Sequence, residues 1–245
     1  MKLFAEIGLN HLGNSKKAIY LAEKCLKQDI DGITIQIQPE IYYDKSKKFR
    51  RPLNIKIYKK ISSMAKKRKK LFGLSIMDLK TLKKYEEVKI DFYKILSLAF
   101  DNTKLLKKVI NNKKKFYLST GFSDLKSIIS LGRKYPKINF IHTTLDDKPK
   151  NANLSAINLM KKKTKNKISF GLHSKNHEIL FLSVSYLPDS IFFYIKPNKN
   201  DYYPDNDHSI SLKNLPKIIN LIKIAKLSIG TGIKVKKKIP SWVYE

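Results

Sequence analysis

LFAEIGLNHLGNSKKAIYLAEKCLKQDIDGITIQIQ, residues Leu3–Gln38, holds a strand-like run, an amphipathic helix-like stretch and a second strand-like run in succession. The two runs, Leu3–Gly8 and Gly32–Gln38, are rich in β-branched or aromatic residues. A parallel crossover needs a dozen or more residues, and the stretch between them is long enough to supply it. The same alternation recurs at Lys70–Ser75, Phe92–Leu96, Lys115–Ser119, Asn139–Thr143, Ile168–Leu172 and Ser190–Lys196. Eight such units in 245 residues predict a single-domain α/β protein, a closed (β/α)₈ TIM barrel over residues 1–227. Residues 228–245, Gly- and Lys-rich with Pro240, read as an extended tail or truncated linker. Barrel chemistry sits at the carboxyl ends of the strands. Glu6, Gln36, Ser75, Lys94, Ser97, Ser119, His142, His173 and Lys196 are therefore expected to line one mouth. Two long loops at that face, Pro39–Asn54 and Pro197–Ile210, read as functional covers or as solvated surface.

Composition excludes several classes. No stretch of 18 apolar residues exists, so no membrane span is expected. The start, MKLFAEIGLNHLG, enters a strand and has no signal-peptide pattern, so the cytoplasm is the expected compartment. The single Cys25 lies in a helical pattern and is expected to be a reduced, structural thiol. A net charge of +31 invites a nucleic-acid reading. The lysines, however, are spread over nearly every helix (Lys16, Lys17, Lys24 and Lys27; Lys59, Lys60, Lys66 and Lys67; Lys161, Lys162 and Lys163) rather than gathered on one face. Only Arg50, Arg51, Arg68 and Arg133 offer the guanidinium fork favoured in specific phosphate or base recognition. No specific nucleic-acid partner is expected.

Eight blocks in order carry a resemblance. AEIGLNHLGN (Ala5–Asn14) with ITIQ (Ile33–Gln36), FGLSIMD (Phe72–Asp78), FYKILSLAFDNTKLL (Phe92–Leu106), KKFYLSTGFSDLKSI (Lys114–Ile128), FIHTT (Phe140–Thr144), NLSAINLMK (Asn153–Lys161) and NDHSISL (Asn206–Leu212) follow one another as in the sialic acid synthase family. That family condenses phosphoenolpyruvate with an N-acetylated amino sugar. LSTG is the most specific match, and the colinear order strengthens the rest. The resemblance implies a barrel of this family acting on small molecules, phosphoenolpyruvate or a similar anion together with a sugar.

What the resemblance implies about the site is uneven. Two family lysines hold phosphoenolpyruvate. The one on strand four is matched by Lys94, while the strand-two position reads Thr34. Gln36 matches a sugar-contacting glutamine, Ser97 and Ser119 match strand-end serines, and Glu6 and Asp207 match acidic positions. The acidic residue two beyond the first serine is Ala99 here. The sugar-contacting SSYP becomes Leu145–Lys148, LDDK. Lys94, Ser97 and Ser119 could hold a phosphate or carboxylate by charge-assisted hydrogen bonds. His142 stands where the family also has a histidine, and it either bonds substrate or orients loops. Glu6, Lys94, Asp207 and Lys196 are the candidate catalytic residues. Gln36, Ser75, Ser97, Ser119, His142 and Lys175 are the candidate substrate-binding residues.

The family binds a divalent metal through a histidine after strand seven and another after strand eight. Both positions are lysines here, Lys175 in GLHSK and Lys196 in YIK. A protonated ammonium has no lone pair for a metal, so no metal cofactor is expected. Lys94, Lys175 and Lys196 are instead expected to form a positive well for an anion. His173 and His177 are four apart and remain a weaker possible ligand pair. The family's carboxy-terminal antifreeze-like domain has no counterpart in the sequence, leaving a homodimer or a separate antifreeze-like partner as expectations. Three functions compete: a phosphoenolpyruvate-dependent condensing enzyme (a C–C bond-forming transferase), a non-catalytic anion-binding relative, and a polyanion-binding barrel.

Overall fold

The structure is a computed structural model that describes residues 1–43, 51–112, 114–197, 202–236, 238 and 240. Arg50 and parts of the two long loops lie outside the described residues. Strands and helices alternate as β1 (Lys2–Gly8), α1 (Ser15–Leu26), β2 (Gly32–Gln36), α2 (Ile55–Lys67), β3 (Leu71–Ile76), α3 (Leu79–Lys84), β4 (Phe92–Ile95) and α4 (Thr103–Asn111). They continue with β5 (Lys115–Ser119), α5 (Leu125–Lys134), β6 (Asn139–His142), α6 (Ala156–Thr164), β7 (Lys167–Gly171), α7 (Glu178–Val184), β8 (Ser190–Lys196), β9 (Ile210–Ser211) and α8 (Leu215–Ser228). The first eight strands pair in sequence order, all parallel. β1 also pairs with β8, from Lys2 opposite Ser190 to Glu6 opposite Tyr194. That pairing closes the sheet into the (β/α)₈ barrel which the eightfold alternation predicts. The short β9 is an addition: inside the segment read as a loop, Ile210 and Ser211 pair with Ile195 and Lys196 of β8.

Strand side chains alternate between two faces, and the two faces make two cores. Leu3, Ala5 and Ile7 of β1, Ile33 and Ile35 of β2, and Tyr93 and Ile95 of β4 point outward to the helices. Phe4, Phe92, Tyr117, Ile141 and Phe192 point inward and form a separate cluster that plugs the barrel. Within it Phe4 stacks on Phe192 at 4.8 Å between ring centroids, and Tyr117 meets Phe192 edge-on at 4.9 Å. Gly73 is required beside this plug, because a Cβ there would lie 2.3 Å from the Phe92 ring.

The helices bury apolar stripes, and most of their lysines reach water. α2 buries Tyr58, Ile61 and Ala65, while Lys59, Lys60, Lys66 and Lys67 are exposed. Burying each such apolar side chain is worth about 1.5–3 kcal/mol, whereas an exposed lysine costs the fold little. The large positive charge is thus spread around the outside of the barrel. No helix among the described residues is long and apolar enough to cross a membrane. Cys25 is fully buried in α1, and burial pushes its thiol up to about 12, which suits an inert packing residue. Beyond α8, the described residues 229–236 form neither helix nor strand and are exposed.

Candidate active site

The helices α1 to α5 are fixed at their starts by side-chain caps. Asn14 accepts from the Lys17 N–H, Asp78 from Thr81, Asn102 from Leu105 and Asp124 from Ser127, at 2.7–3.1 Å. Each cap satisfies an orphan donor of the first turn and holds the preceding loop at the carboxyl end of its strand. Between these loops lies a cavity of about 340 Å³. Its polar side comprises Gln36, Gln38, Lys94, Ser97, Ser119, His173, Tyr194 and Asp205. Its apolar side comprises Tyr42, Met77, Leu96, Leu98, Phe122 and Leu145.

Inward parity decides what reaches this cavity. On β4, Phe92 belongs to the plug, so Lys94, two residues on, also points inward one layer higher. Its ammonium is 1% exposed and donates to Glu6 Oε2 at 2.5 Å; Glu6 occupies the same layer of β1. Thr34 Oγ1 on β2 donates to the same carboxylate oxygen at 3.3 Å. The Lys94 ammonium also lies 5.3 Å from the centre of the Tyr194 ring. Glu6 Oε1 and Ser75 Oγ are buried in this layer without a hydrogen-bond partner among the described residues. A lone buried ammonium would be prohibitively costly, and the paired Glu6 carboxylate offsets that cost at the cavity floor.

A second cluster stands beside Lys94. The rings of His173, Tyr194 and His208 pack with centroids 4.8–5.3 Å apart. His173 Nδ1 is 2.7 Å from Thr143 Oγ1. Burial, with the nearby Lys94 charge adding, holds His173 well below the usual imidazole range and His208 down to about 4. Both rings are therefore neutral at physiological pH. Asp205 Oδ1 is 3.8 Å from His208 Nε2, and Asp205 Oδ2 accepts from the Leu9 N–H at 3.2 Å. Burial pushes the Asp205 carboxyl up to about 6, and the Glu6 charge adds to the effect. Gly8 makes room here: it adopts φ +54, and a Cβ would stand 2.5 Å from Asp205 Oδ2 and 2.7 Å from the Tyr194 ring.

The structure gathers only some of the expected mouth residues. Gln36, Lys94, Ser97, Ser119 and His173 line the cavity, whereas Glu6 and Ser75 lie buried outside its lining. His142 is not at the mouth. It shares parity with Phe140 and faces the helices, where its Nε2 bonds the Ala152 carbonyl at 2.9 Å and ties down the loop after β6. The expected three-lysine well does not assemble either. Lys196 is buried but donates to the backbone and side-chain oxygens of Asn206 at 2.8 and 2.7 Å. Lys175 is exposed and paired with Asp147 at 2.8 Å. Asp207 is exposed, and among the described residues of that loop Asp205 is the carboxylate that reaches the cavity. Inward parity with Phe192 marks Tyr194 in the sequence. Asp205 has no such signal, because DND in a loop says nothing about which carboxylate turns in. Asn10, in the LNHLG turn, was also missed. It donates to the Ile195 carbonyl at 2.8 Å and to Ser209 Oγ at 3.0 Å, pinning the β8–β9 loop over the mouth.

The donors at the mouth do not fit a divalent cation. Lysines occupy the two positions where the resembled family places histidines. His173 Nδ1 is committed to Thr143, and the adjacent Lys94 charge opposes a second cation. Among the described residues no group of three or more His, Cys, Asp or Glu side chains is placed to hold a metal.

In a closed (β/α)₈ barrel the carboxyl mouth, where the buried lysine and two strand-end hydroxyls stand here, is the face that carries active sites. Sequence comparison makes the assignment specific: the NeuB family model matches residues 19–234, and the chain belongs to that family. It is 27% identical over 195 residues to the N,N'-diacetyllegionaminic acid synthase of Campylobacter jejuni, covering 76% of this chain and 58% of that protein. The chain thus spans a little over half the length of this curated relative. Among solved structures, the N-acetylneuraminic acid synthetase of Leptospira borgpetersenii, in complex with citrate, superposes with a TM-score of 0.85 at 22% identity over 96% of this chain and 87% of that one. The spore coat polysaccharide biosynthesis protein E of Bacillus subtilis gives 0.83 at 18% identity over 98% and 71%. The same barrel recurs in the phospho-2-dehydro-3-deoxyheptonate aldolase of Thermotoga maritima, with a TM-score of 0.75 at 15% identity over 94% and 70%.

Proposed function

We infer that this chain condenses phosphoenolpyruvate, or a closely similar anion, with an amino-sugar aldehyde in sialic-acid-type carbohydrate biosynthesis. The observation that carries this reading is Lys94: a buried ammonium, paired with Glu6, at the floor of a cavity that Ser97 and Ser119 also line. Lys94 supplies the charge and the two hydroxyls supply direction for a phosphate or carboxylate. Gln36 and Gln38, on the β2 side, are amide groups for the sugar. When the enol carbon attacks the aldehyde carbon, the carbonyl oxygen becomes an alkoxide and must take a proton, while the phosphate-bearing carbon is left electron-poor, adds water that gives up a proton, and expels inorganic phosphate to become a ketone. Asp205, titrating near 6, is the lining group suited to deliver one. Lys94 stabilises the developing negative charge electrostatically. Lys175 and Lys196, paired elsewhere, have no part in this step, and the reaction proceeds without a metal.

A second reading, a non-catalytic anion-binding relative, is favoured by one observation. Lys196, at the family's second metal position, is spent on Asn206 rather than on the cavity. Calorimetric titration with phosphoenolpyruvate, with and without manganese, followed by turnover assays with amino sugars, separates the readings. Saturable binding that manganese leaves unchanged, with condensation in excess EDTA, is the expected result. Binding without turnover favours the second reading. Absence of binding refutes both. Near-stoichiometric metal that disappears together with activity refutes the metal-free mechanism.

A further inference from the structure

A second cavity opens on the opposite face of the barrel, where the strands begin. It lies between the ends of α4 and α5 and holds about 660 Å³, against about 340 Å³ at the mouth. Ile110, Phe116, Tyr135, Pro136 and Ile138 give it apolar walls, and Lys114, Lys115, Lys134 and Lys137 share the lining. A neighbouring cavity of about 520 Å³ has Lys115, Pro136, Lys137 and Ile138 in common with it and adds Asn139, Lys165 and Lys167. The two make one cleft, apolar at the α4–α5 end and polar towards the starts of β6 and β7. The cleft is preformed. Asn166 Nδ2 donates to the carbonyl oxygens of Tyr135, Pro136 and Ile138 at 3.0–3.2 Å, which fixes the loop between α5 and β6. Lys114 is held by its bond to the Ile90 carbonyl at 3.0 Å. Among the described residues no acidic side chain lines either cavity. Of the six lysines, only Lys167 has a described carboxylate within ion-pair distance, Asp189 at 3.2 Å.

We propose that this cleft is a second binding site, distinct from the mouth, for a small amphipathic anion: an aromatic or aliphatic body joined to a phosphate or carboxylate. A concave, largely apolar cleft of this size falls in the range of about 300–1,000 Å³ that holds small molecules. Ammonium groups gathered there without carboxylates repel one another, and an anion among them relieves that repulsion. The body of the ligand lies against Ile110, Tyr135 and Pro136, removing apolar surface from water on both partners. Its anionic group lies among Lys115, Lys137 and Lys165, which bond it with charge assistance. A bare anion lacks the apolar contact and a neutral ring lacks the charge, so each binds more weakly than the two joined.

The test is calorimetric titration of the protein with 1-naphthyl phosphate, inorganic phosphate and 1-naphthol at physiological salt, where exposed charges more than about 8 Å apart are largely screened. The wild type is expected to bind 1-naphthyl phosphate saturably and at least about tenfold more tightly than either fragment, a difference that roughly 55 Å² of buried apolar surface accounts for on the phosphate side. Lys134 and Lys137 are exposed, so reversing their charge leaves the core untouched. Lys134→Glu/Lys137→Glu is expected to weaken the naphthyl ester at least about tenfold. Lys60→Glu/Lys67→Glu makes the same change of net charge at exposed positions on α2 and is expected to alter the affinity less than about twofold. Inorganic phosphate or 1-naphthol binding as tightly as the ester overturns the proposal, and so does an equal loss in both double variants, which would mean a general counter-ion effect. An affinity unchanged in Lys134→Glu/Lys137→Glu places the probe elsewhere, the mouth included, and overturns it too.

Discussion

Replacing Lys94 with methionine keeps the chain's length and removes its charge, and two separable consequences follow. The first is on folding. Glu6 and Lys94 are both 1% exposed, so the variant leaves the Glu6 carboxylate inside the barrel with, among the described residues, only Thr34 Oγ1 as a hydrogen-bond partner. Breaking one side of a buried pair costs about 3–5 kcal/mol, mostly the penalty of the uncompensated charge. Domains have about 5–15 kcal/mol to lose, so the variant is expected to fold but to unfold at a clearly lower urea concentration. The second is on binding. Loss of one hydrogen bond to a charged group is worth about 1.5–3 kcal/mol, a roughly 10- to 160-fold weaker affinity for phosphoenolpyruvate. The double variant Lys94→Met/Glu6→Gln separates the two. Removing both charges recovers most of the stability, because no lone charge is left buried, yet the anion affinity stays low. Urea midpoints and calorimetry on the wild type and both variants provide the readouts. An unchanged phosphoenolpyruvate affinity in Lys94→Met removes Lys94 from the site. A double variant no more stable than the single one refutes the pairing argument.

Gly73→Ala drives a Cβ into the Phe92 ring and is expected to cost about 1–3 kcal/mol, read as a lower thermal midpoint; an unchanged midpoint would show that the plug yields more easily than its packing implies. Phe192→Ala empties the centre of the same plug and is expected to cost about 3–5 kcal/mol by urea denaturation, with a loss below 1 kcal/mol counting against a close-packed barrel interior. His208 has a folded pKa of about 4 against an ordinary 6.5, so its contribution is complete above 6.5 and is lost as pH falls from there towards 4. Asp205 works in the opposite sense: raised to about 6 from 3.8, it penalises the fold above about 6 and relieves it as pH falls. Stability profiles between pH 7 and 4 should therefore be flatter on the acid side for His208→Gln and steeper for Asp205→Asn. Profiles parallel to the wild type in both variants would contradict these burial effects.

The sequence by itself determined the barrel, because parallel strands need helical crossovers and both periodicities are local. A run such as KFYLS followed by LKSIISLGRK is legible as strand and helix without knowledge of anything distant. It also determined Lys94, whose place two residues after Phe92 sets both its strand and its face. The same parity argument, applied to NFIH, would have put His142 beside Phe140 and away from the mouth. Tyr194, two residues after Phe192, was legible on that basis too. Only the tertiary structure decided the rest. Asp205 rather than Asp207 turns into the cavity because Asn10 and the β8–β9 pairing pin that loop, and the Asn10 contacts join residues most of the chain apart. Lys175 and Lys196 were legible as lysines at the resembled metal positions, but not as lysines spent on Asp147 and Asn206. A long, flexible ammonium goes to whichever acceptor the surrounding loops supply, and no local pattern in the sequence encodes those loops' positions.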